Sequence, residues 1–282
     1  MLVRDGPGGW DHGTVMSEAG IAVGRPPLDA AALRDRLIQP GGLWRELWVR
    51  PETGSTNADL LAEARAGAAE GLVLVAEAQT AGRGRLGRSW VSPPRAALTC
   101  SVLLRPDGVR PGQWGWLPLL TGVAVAAALR DEAAVPARLK WPNDVLVGGR
   151  KIAGILAEAH GGAIVAGFGL NVTLTQGELP GPAATSLLLS GAASTDRGEL
   201  LAAVLTRLAR GYRAWAADPD AAWLRADYLG WCATVGQPVR VELPGGGLLT
   251  GIARDVDATG RLAVQTRSGL ELVGAGDVVH LR

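Results

Sequence analysis

The sequence predicts an α/β protein carrying a small all-β unit at its C-terminal end. Three observations lead there. Between residues 43 and 81 the apolar spacing alternates strand, helix, strand. From 138 to 172 three strand candidates follow one another across short turns, the pattern of strands that pair in one sheet. Beyond about residue 234 only short strand-like pieces remain, divided by PGGG, DATG and SG turns. With 282 residues, 48% hydrophobic and 20% charged, the chain can bury a sizeable core.

Element by element, residues 1–27 are rich in Gly and Pro, lack periodicity, and are expected to form a flexible tail. LDAAALRDRLI (28–38) has helical spacing, and LWRELWV alternates like a strand. Ser55, Thr56 or Asn57 can cap a helix that includes Leu60, Leu61 and Ala64 and ends near Gly67. VLVAEA reads as a buried strand running into a Gly/Arg loop, and LTCSVLLRP as another strand. Gln113 to Asp131 predicts a long apolar helix, with Pro118 tolerated only in its first turns. RLKWPNDVLV, KIAGILAEA and AIVAGFGLNV are the three consecutive strand candidates, and helices are expected over 197–217 and 219–229. VGQPVRVEL, LLTGIARDVD, RLAVQTRSG, LELVGAG and VVHLR then suggest a small β-barrel. The expected division is a tail over 1–27, an α/β unit over 28–233 and a barrel over 234–282.

Composition excludes several function classes. A net charge of +1 offers no general pull toward nucleic acid or an anionic membrane. Cys100 and Cys232 cannot build a disulfide framework, and His12, His160 and His280 lie too far apart in sequence to suggest a zinc site. The first residues lack the apolar stretch of a secretory signal, and the run LPLLTGVAVAAAL is shorter than the roughly 18 residues of a membrane span. A reduced, soluble, cytoplasmic protein is expected, with no DNA or membrane partner.

The most unusual segment is AEAQTAGRGRLGRSW, residues 76–90. Arg83, Arg85 and Arg88 alternate with Gly82, Gly84 and Gly87, combining forked cationic donors with a backbone that can approach a ligand closely. This chemistry suits anionic groups, although a solvated surface turn would look the same in isolation. The letters also satisfy G-x-G-x-x-G. A dinucleotide-binding turn, however, needs a helix at once, and SPP at 92–94 opposes one. In LKWPNDVLVGGRKIAGILAEA (139–159), Asn143 and Asp144 offer oxygens to a metal or hydroxyl, or simply make an Asx-turn. Lys151 at the start of an apolar strand is either functional or that strand's exposed first residue. Ser55, Thr56 and Asn57 can bind a small polar ligand, though a helix N-cap needs only one of them. Trp90 can stack on a base or pack in the core, and the glycines of GFGLNV, before and after Phe168, permit close approach of a ligand or mark a bulge.

ETGSTN, AEAQTAGRGRLGRSW, LKWPNDVLV, RKIAGILAE and GFGLNV occur in the order and approximate spacing of biotin protein ligases, and the chain resembles that family from about residue 46 to its C-terminal end. The resemblance implies a catalytic domain like that of class II aminoacyl-tRNA synthetases, with a mixed, mostly antiparallel sheet, and an SH3-like C-terminal barrel. It implies that Ser55, Thr56 and Gln79 bind the ureido ring of biotin, with Asn57 beside them. Arg83, Gly84 and Arg85 would close over the biotin carboxylate and activated phosphate, Lys151 would touch both, and Gly154 would line the biotin site. Arg83, Arg85 and Lys151 are thus the implied catalytic groups. Trp90, Asn143 and Asn171 are implied at the nucleotide, and Asp144 as a magnesium ligand. Implied substrates are biotin and ATP with Mg²⁺, and the implied partner is the biotin carboxyl-carrier domain of an acetyl-CoA, acyl-CoA or pyruvate carboxylase. The roughly 45 residues before the matching region suggest a short form without a DNA-binding domain, and Leu86 stands where some relatives have a further arginine. Two alternatives are a lipoate or octanoate ligase of the same fold and a nucleic-acid-binding regulator. The first lacks the GRGRLGRSW pattern and the second is disfavoured by the net charge.

Overall fold

The computed structural model describes residues 15–16, 22–220 and 222–281. Strands β1 (Val15–Met16) and β2 (Ala22–Val23) pair antiparallel; the rest of the expected tail up to residue 21 lies outside the described residues. From Arg25 the chain is held in place. The Arg25 guanidinium donates to both carboxylate oxygens of Glu178 at 3.1 and 2.7 Å and to the Thr173 carbonyl at 2.9 Å, while the Pro26 carbonyl accepts from Arg197.

Asp29 caps α1 (Ala30–Leu37), accepting the amides of Ala31 and Ala32. β3 (Glu46–Arg50) and β4 (Leu72–Ala76) are parallel, so a crossover must join them, and α2 (Thr56–Arg65) provides it. β5 (Ala97–Leu104), β6 (Arg138–Lys140), β7 (Asp144–Val147), β8 (Arg150–His160) and β9 (Ala163–Asn171) complete a seven-stranded sheet of order β3-β4-β5-β9-β8-β7-β6. Every pairing but the first is antiparallel, the mixed sheet that was expected. RLKWPNDVLV, expected as one strand, is two: Pro142 cannot donate to a ladder, and residues 141–143 form the turn between β6 and β7.

One face of this sheet is covered by α3 (Trp116–Glu132) and α4 (Arg197–Ala217), which pack on each other as well. Pro118 is the third residue of α3, where no helical hydrogen bond is lost. Pro111–Glu132 is long and apolar enough to cross a membrane, yet it is mostly buried: sheet, α4 and α5 (Ala222–Trp231) surround it, which explains its lack of a polar face. On the opposite face α2 packs Leu60, Leu61 and Ala64 against Leu74, Leu103 and Val165.

The five C-terminal strand pieces all form. β10 (Pro238–Glu242), β11 (Leu248–Val256), β12 (Leu262–Gln265), β13 (Leu270–Val273) and β14 (Asp277–His280) make an antiparallel sheet of order β13-β12-β11-β10-β14, bulged near Asp255. Trp116 Nε1 donates to the Ala258 carbonyl at 2.9 Å, Trp141 Nε1 to that of Gly260 at 3.0 Å, and the Ala233 amide to that of Leu139 at 2.7 Å. The tip of the β11–β12 turn is thereby pinned beside α3 and the β6–β7 turn.

Candidate active site

Cross-strand register gathers the site. Asp144, Gly154, Gly169 and Thr99 are successive partners across β7, β8, β9 and β5, and so share a face. Leu156, Gly167 and Ser101 form the next row on that face. Where other positions would project side chains, the glycines leave a trough. A Cβ on Gly167 would overlap Asn57 Oδ1, one on Gly169 would overlap the Trp90 indole, and one on Gly154 would lie 3.1 Å from Lys151 Nζ.

A bulge in β8 aims the lysine. Val145 pairs with Ala153, but Leu146 pairs with Lys151, so Ile152 is the extra residue and Lys151 returns to the face of Gly154. Its Nζ lies 2.6 Å from Asp144 Oδ1. The plain alternative, an exposed first strand residue, is therefore set aside.

The closed end of the trough is the start of α2. Ser55 caps this helix, its Oγ accepting the Ala58 amide at 3.4 Å. The loops after β3 and β4 are laced together by Thr53–Ala78, Thr80–Thr53 and Ala81–Gly54 backbone bonds of 2.8–3.1 Å. That lacing sets Gln79 against Thr56, whose amide donates to Gln79 Oε1 at 2.8 Å. Residues 23 positions apart, Thr56 and Gln79, thus meet because the strands before them are parallel neighbours.

Over the trough folds the Gly/Arg segment. Arg83 and Ser89 bridge antiparallel, the Gly84 amide donates to the Arg88 carbonyl at 2.7 Å, and the Trp90 amide to that of Gly82 at 2.9 Å. The result is a small hairpin whose tip, Leu86 and Gly87, has φ of 54° and 74°. Its side chains hold it down. Arg83 lies 3.8 Å from the Glu158 carboxylate, Arg85 donates to Asn143 Oδ1 at 3.2 Å and to the Gly276 carbonyl at 3.4 Å, and Arg88 pairs with Asp277. The flap therefore reaches the C-terminal sheet. Trp90 lies against Gly154 and Gly169, and its Nε1 is buried without a partner among the described residues.

The cavity so formed has a volume of about 120 Å³, and its lining includes Ser55, Thr56, Asn57, Gln79, Arg83, Gly84, Arg85, Trp90, Asn143, Asp144, Lys151 and Gly154. Its lining, a few convergent polar groups over an apolar floor, suits a small organic ligand. Its mouth is strongly cationic. Behind the lining, Lys140 pairs with Asp144 across β6 and β7, and burial lowers its pKa, opposed by Asp144 and helped by Lys151 and Arg88; burial likewise lowers that of Arg85. Such crowding of positive charge is tolerable where anions are to be bound.

Asn171 is the exception among the expected residues. It ends β9, is buried, and donates from Nδ2 to the Thr185 carbonyl at 2.9 Å, outside the cavity lining. One of its two amide protons ties it to the following loop, while its place at the nucleotide stays an expectation of the family resemblance. The reading of the chain missed Lys140, Ser101, Glu158 and Asp277. A serine inside the mostly apolar LTCSVLL was the one usable signal; the acids become relevant only through pairing.

The comparisons agree with this geometry. Residues 49–174 match the family model described as the Biotin/lipoate A/B protein ligase family, and residues 234–281 the Biotin protein ligase C terminal domain. The biotin–acetyl-CoA-carboxylase ligase of Mycobacterium tuberculosis is 50% identical over 92% of this chain and 97% of its own length. The bifunctional ligase/repressor BirA of Escherichia coli is 31% identical over 83% of this chain and 73% of its own. A biotin protein ligase from Aquifex aeolicus, solved in complex with biotin and ATP, superposes with a TM-score of 0.72 at 30% identity, over 85% of this chain and all of that one. Glycine trough, cationic flap, mixed sheet and C-terminal β-unit thus converge, and the chain belongs to the biotin protein ligase family.

Proposed function

We propose that this protein adenylates biotin with ATP to give biotinyl-5′-AMP and transfers the biotinyl group to a lysine of a carboxylase's biotin carboxyl-carrier domain. The observation that carries this is the polarity of one cavity. Its closed end offers the Ser55 and Thr56 hydroxyls and Gln79, which suit a neutral polar ring; its mouth offers Arg83, Arg85 and Lys151, which suit a carboxylate meeting a triphosphate.

A carboxylate acylates poorly because an oxide or hydroxide would have to leave. Attack of the biotin carboxylate oxygen on the α-phosphorus of ATP expels pyrophosphate and converts that leaving group to AMP. Both reactants are anions, so cationic groups must offset their repulsion. Arg83, Arg85 and Lys151 fill that part. Lys151 already faces Asp144 and Arg83 faces Glu158; an incoming anion exchanges one acceptor for another instead of meeting bare charge. No base is needed at this step, since the nucleophile is ionised. The carrier lysine amine then attacks the acyl carbon, AMP departs, and the amine proton is lost to solvent. The flap, with Gly84 in its hinge and Trp90 as its inner wall, would shield the mixed anhydride from water between the steps.

Among the described residues no three His, Cys, Asp or Glu side chains form a metal cluster. Magnesium is commonly held by one or two carboxylates plus substrate phosphates and water, and Asp144 at the mouth fits that requirement. There Mg²⁺ would neutralise phosphate charge. Asn143 and Trp90 would flank the nucleotide. Free, buried Cys100 and Cys232 suit a reducing compartment, and the proposed setting is the cytoplasm.

The test combines purified protein, biotin, MgATP and a biotin carboxyl-carrier domain. Pyrophosphate release that depends on biotin, and a streptavidin-reactive carrier, are the expected results. Release with lipoate or octanoate but not with biotin would favour the sister chemistry and end this proposal.

A further inference from the structure

We infer that Ser101 and Asn57, neither of which needs to touch the ligand, fix the hydroxyl of Thr56 as a hydrogen-bond acceptor and so make the slot selective for a ring N–H beside a carbonyl. This rests on the biotin reading above and deepens it.

The inference follows from counting protons. Ser101 Oγ, fully buried in β5, lies 2.7 Å from Thr56 Oγ1 and 2.6 Å from Asn57 Oδ1. Both distances are those of O–H···O hydrogen bonds, but Ser101 carries a single hydroxyl proton. Asn57 decides where that proton goes. Its Nδ2 donates to the Leu156 carbonyl at 3.1 Å and to Glu158 Oε2 at 2.9 Å. Turning the amide over would set its oxygen against two acceptors, so the orientation is determined by its partners. Oδ1 therefore faces Ser101 and can only accept. Ser101 must donate to Asn57, and Thr56 must donate to Ser101.

The remaining contact, Thr56 Oγ1 to Gln79 Oε1 at 3.1 Å, is then left without a proton; it is the longest of the three, and Gln79 Oε1 is already satisfied by the Thr56 amide. The relay runs Thr56 to Ser101 to Asn57, with Glu158 and the Leu156 carbonyl at its end. Thr56 is left with only lone pairs for a ligand. Ser55 is opposite in character. Its Oγ accepts from the Ala58 amide, and its own proton has no acceptor among the described residues. Side by side, the two hydroxyls offer one donor and one acceptor, the complement of a C=O and an adjacent N–H in a cyclic urea. A thiolane or dithiolane ring without N–H cannot satisfy Thr56. Asn57 accordingly moves from expected ligand contact to positioning residue, as both its amide protons are used within the protein. Gly167 supports the same relay, since any side chain there would displace Asn57 Oδ1.

The test is a ligand-by-variant cycle read by calorimetry with biotin and with its two cyclic carbamates, in which one or other ureido N–H is replaced by oxygen. In the unaltered protein the isomer that turns its ring oxygen to Thr56 should bind about tenfold or more weakly than biotin, the effect of losing one hydrogen bond and opposing two lone-pair donors. In Ser101→Ala the Thr56 proton is released and can serve that ring oxygen, so the same preference should shrink to below about threefold. A purely structural role would weaken all three ligands alike and leave the ratio unchanged, which would overturn the inference. Equal binding of biotin and both carbamates by the unaltered protein overturns it without any variant, even if Ser101→Ala fails to fold. Absence of biotin binding altogether overturns the underlying function as well, and is distinguishable on that account.

Discussion

The two faces of the seven-stranded sheet are made by the same strands in alternation and are used differently. Toward α3 and α4, β5, β8 and β9 project Leu98, Cys100, Val102, Ile155, Phe168 and Leu170 into a continuous apolar layer. Toward α2 the same strands project Ser101, Gly154, Gly167 and Gly169 at one end and Leu103 and Val165 at the other. The first face is filled by its own side chains. The second is half filled, and the unfilled half is the cavity. Stability and binding are thus separated by strand parity, and substitutions on the two faces should fail in different ways.

The largest effect should come from the mouth of the cavity. Lys151→Ala should slow biotin-dependent pyrophosphate release about a thousandfold, the scale for removing one group that stabilises transition-state charge, while its melting temperature stays near that of the parent. Near-normal release would remove Lys151 from the mechanism. Next is Gly167→Ala, which should cost about 3 kcal/mol of stability through overpacking and a broken polar relay, and should abolish biotin binding as well. Its counterpart in the helices that cover the filled face, Leu120→Ala, should cost about 3 kcal/mol through a cavity, yet the folded protein should bind biotin as before. Denaturant titration paired with calorimetry checks both, and a loss of affinity in Leu120→Ala would erase the separation of faces.

A smaller effect is expected for the flap, whose anchors at Arg83 and Arg88 are half-exposed or exposed ion pairs. Arg83→Ala should raise leakage of biotinyl-5′-AMP roughly tenfold, equivalent to about 1.4 kcal/mol; retention as tight as in the parent would deny the flap its shielding role. The smallest effect lies away from both faces. Burial alone would raise the Glu178 pKa, but hydrogen bonds from Arg25 and Thr175 outweigh it and leave the carboxyl below its ordinary 4.5. The folded protein then binds fewer protons there than the unfolded chain, so this stabilisation is present above about pH 4.5 and is lost as pH falls through the folded value. Glu178→Gln should flatten that part of the acid-unfolding curve, and an unchanged curve would show the clamp to be inert.

Local pattern determined much of this protein. The helical spacing of 28–38 and 197–217, the alternation of the five C-terminal pieces and the Gly/Arg run of 82–88 are visible in the chain because periodicity and turn chemistry act over a few residues. So were most cavity residues, since their motifs compress unusual chemistry into short segments. Tertiary structure alone decided the rest. It divided RLKWPNDVLV at Pro142, turned Lys151 onto the cavity face by a one-residue bulge, kept Asn171 out of the cavity lining, and matched Arg88 to Asp277 across 189 positions. It also joined Thr56 to Ser101 and Asn57 to Glu158, and with them the direction of a single proton. Such pairings depend on strand register and on which acceptors remain unsatisfied after folding, and these are properties of the assembled sheet rather than of any segment of it.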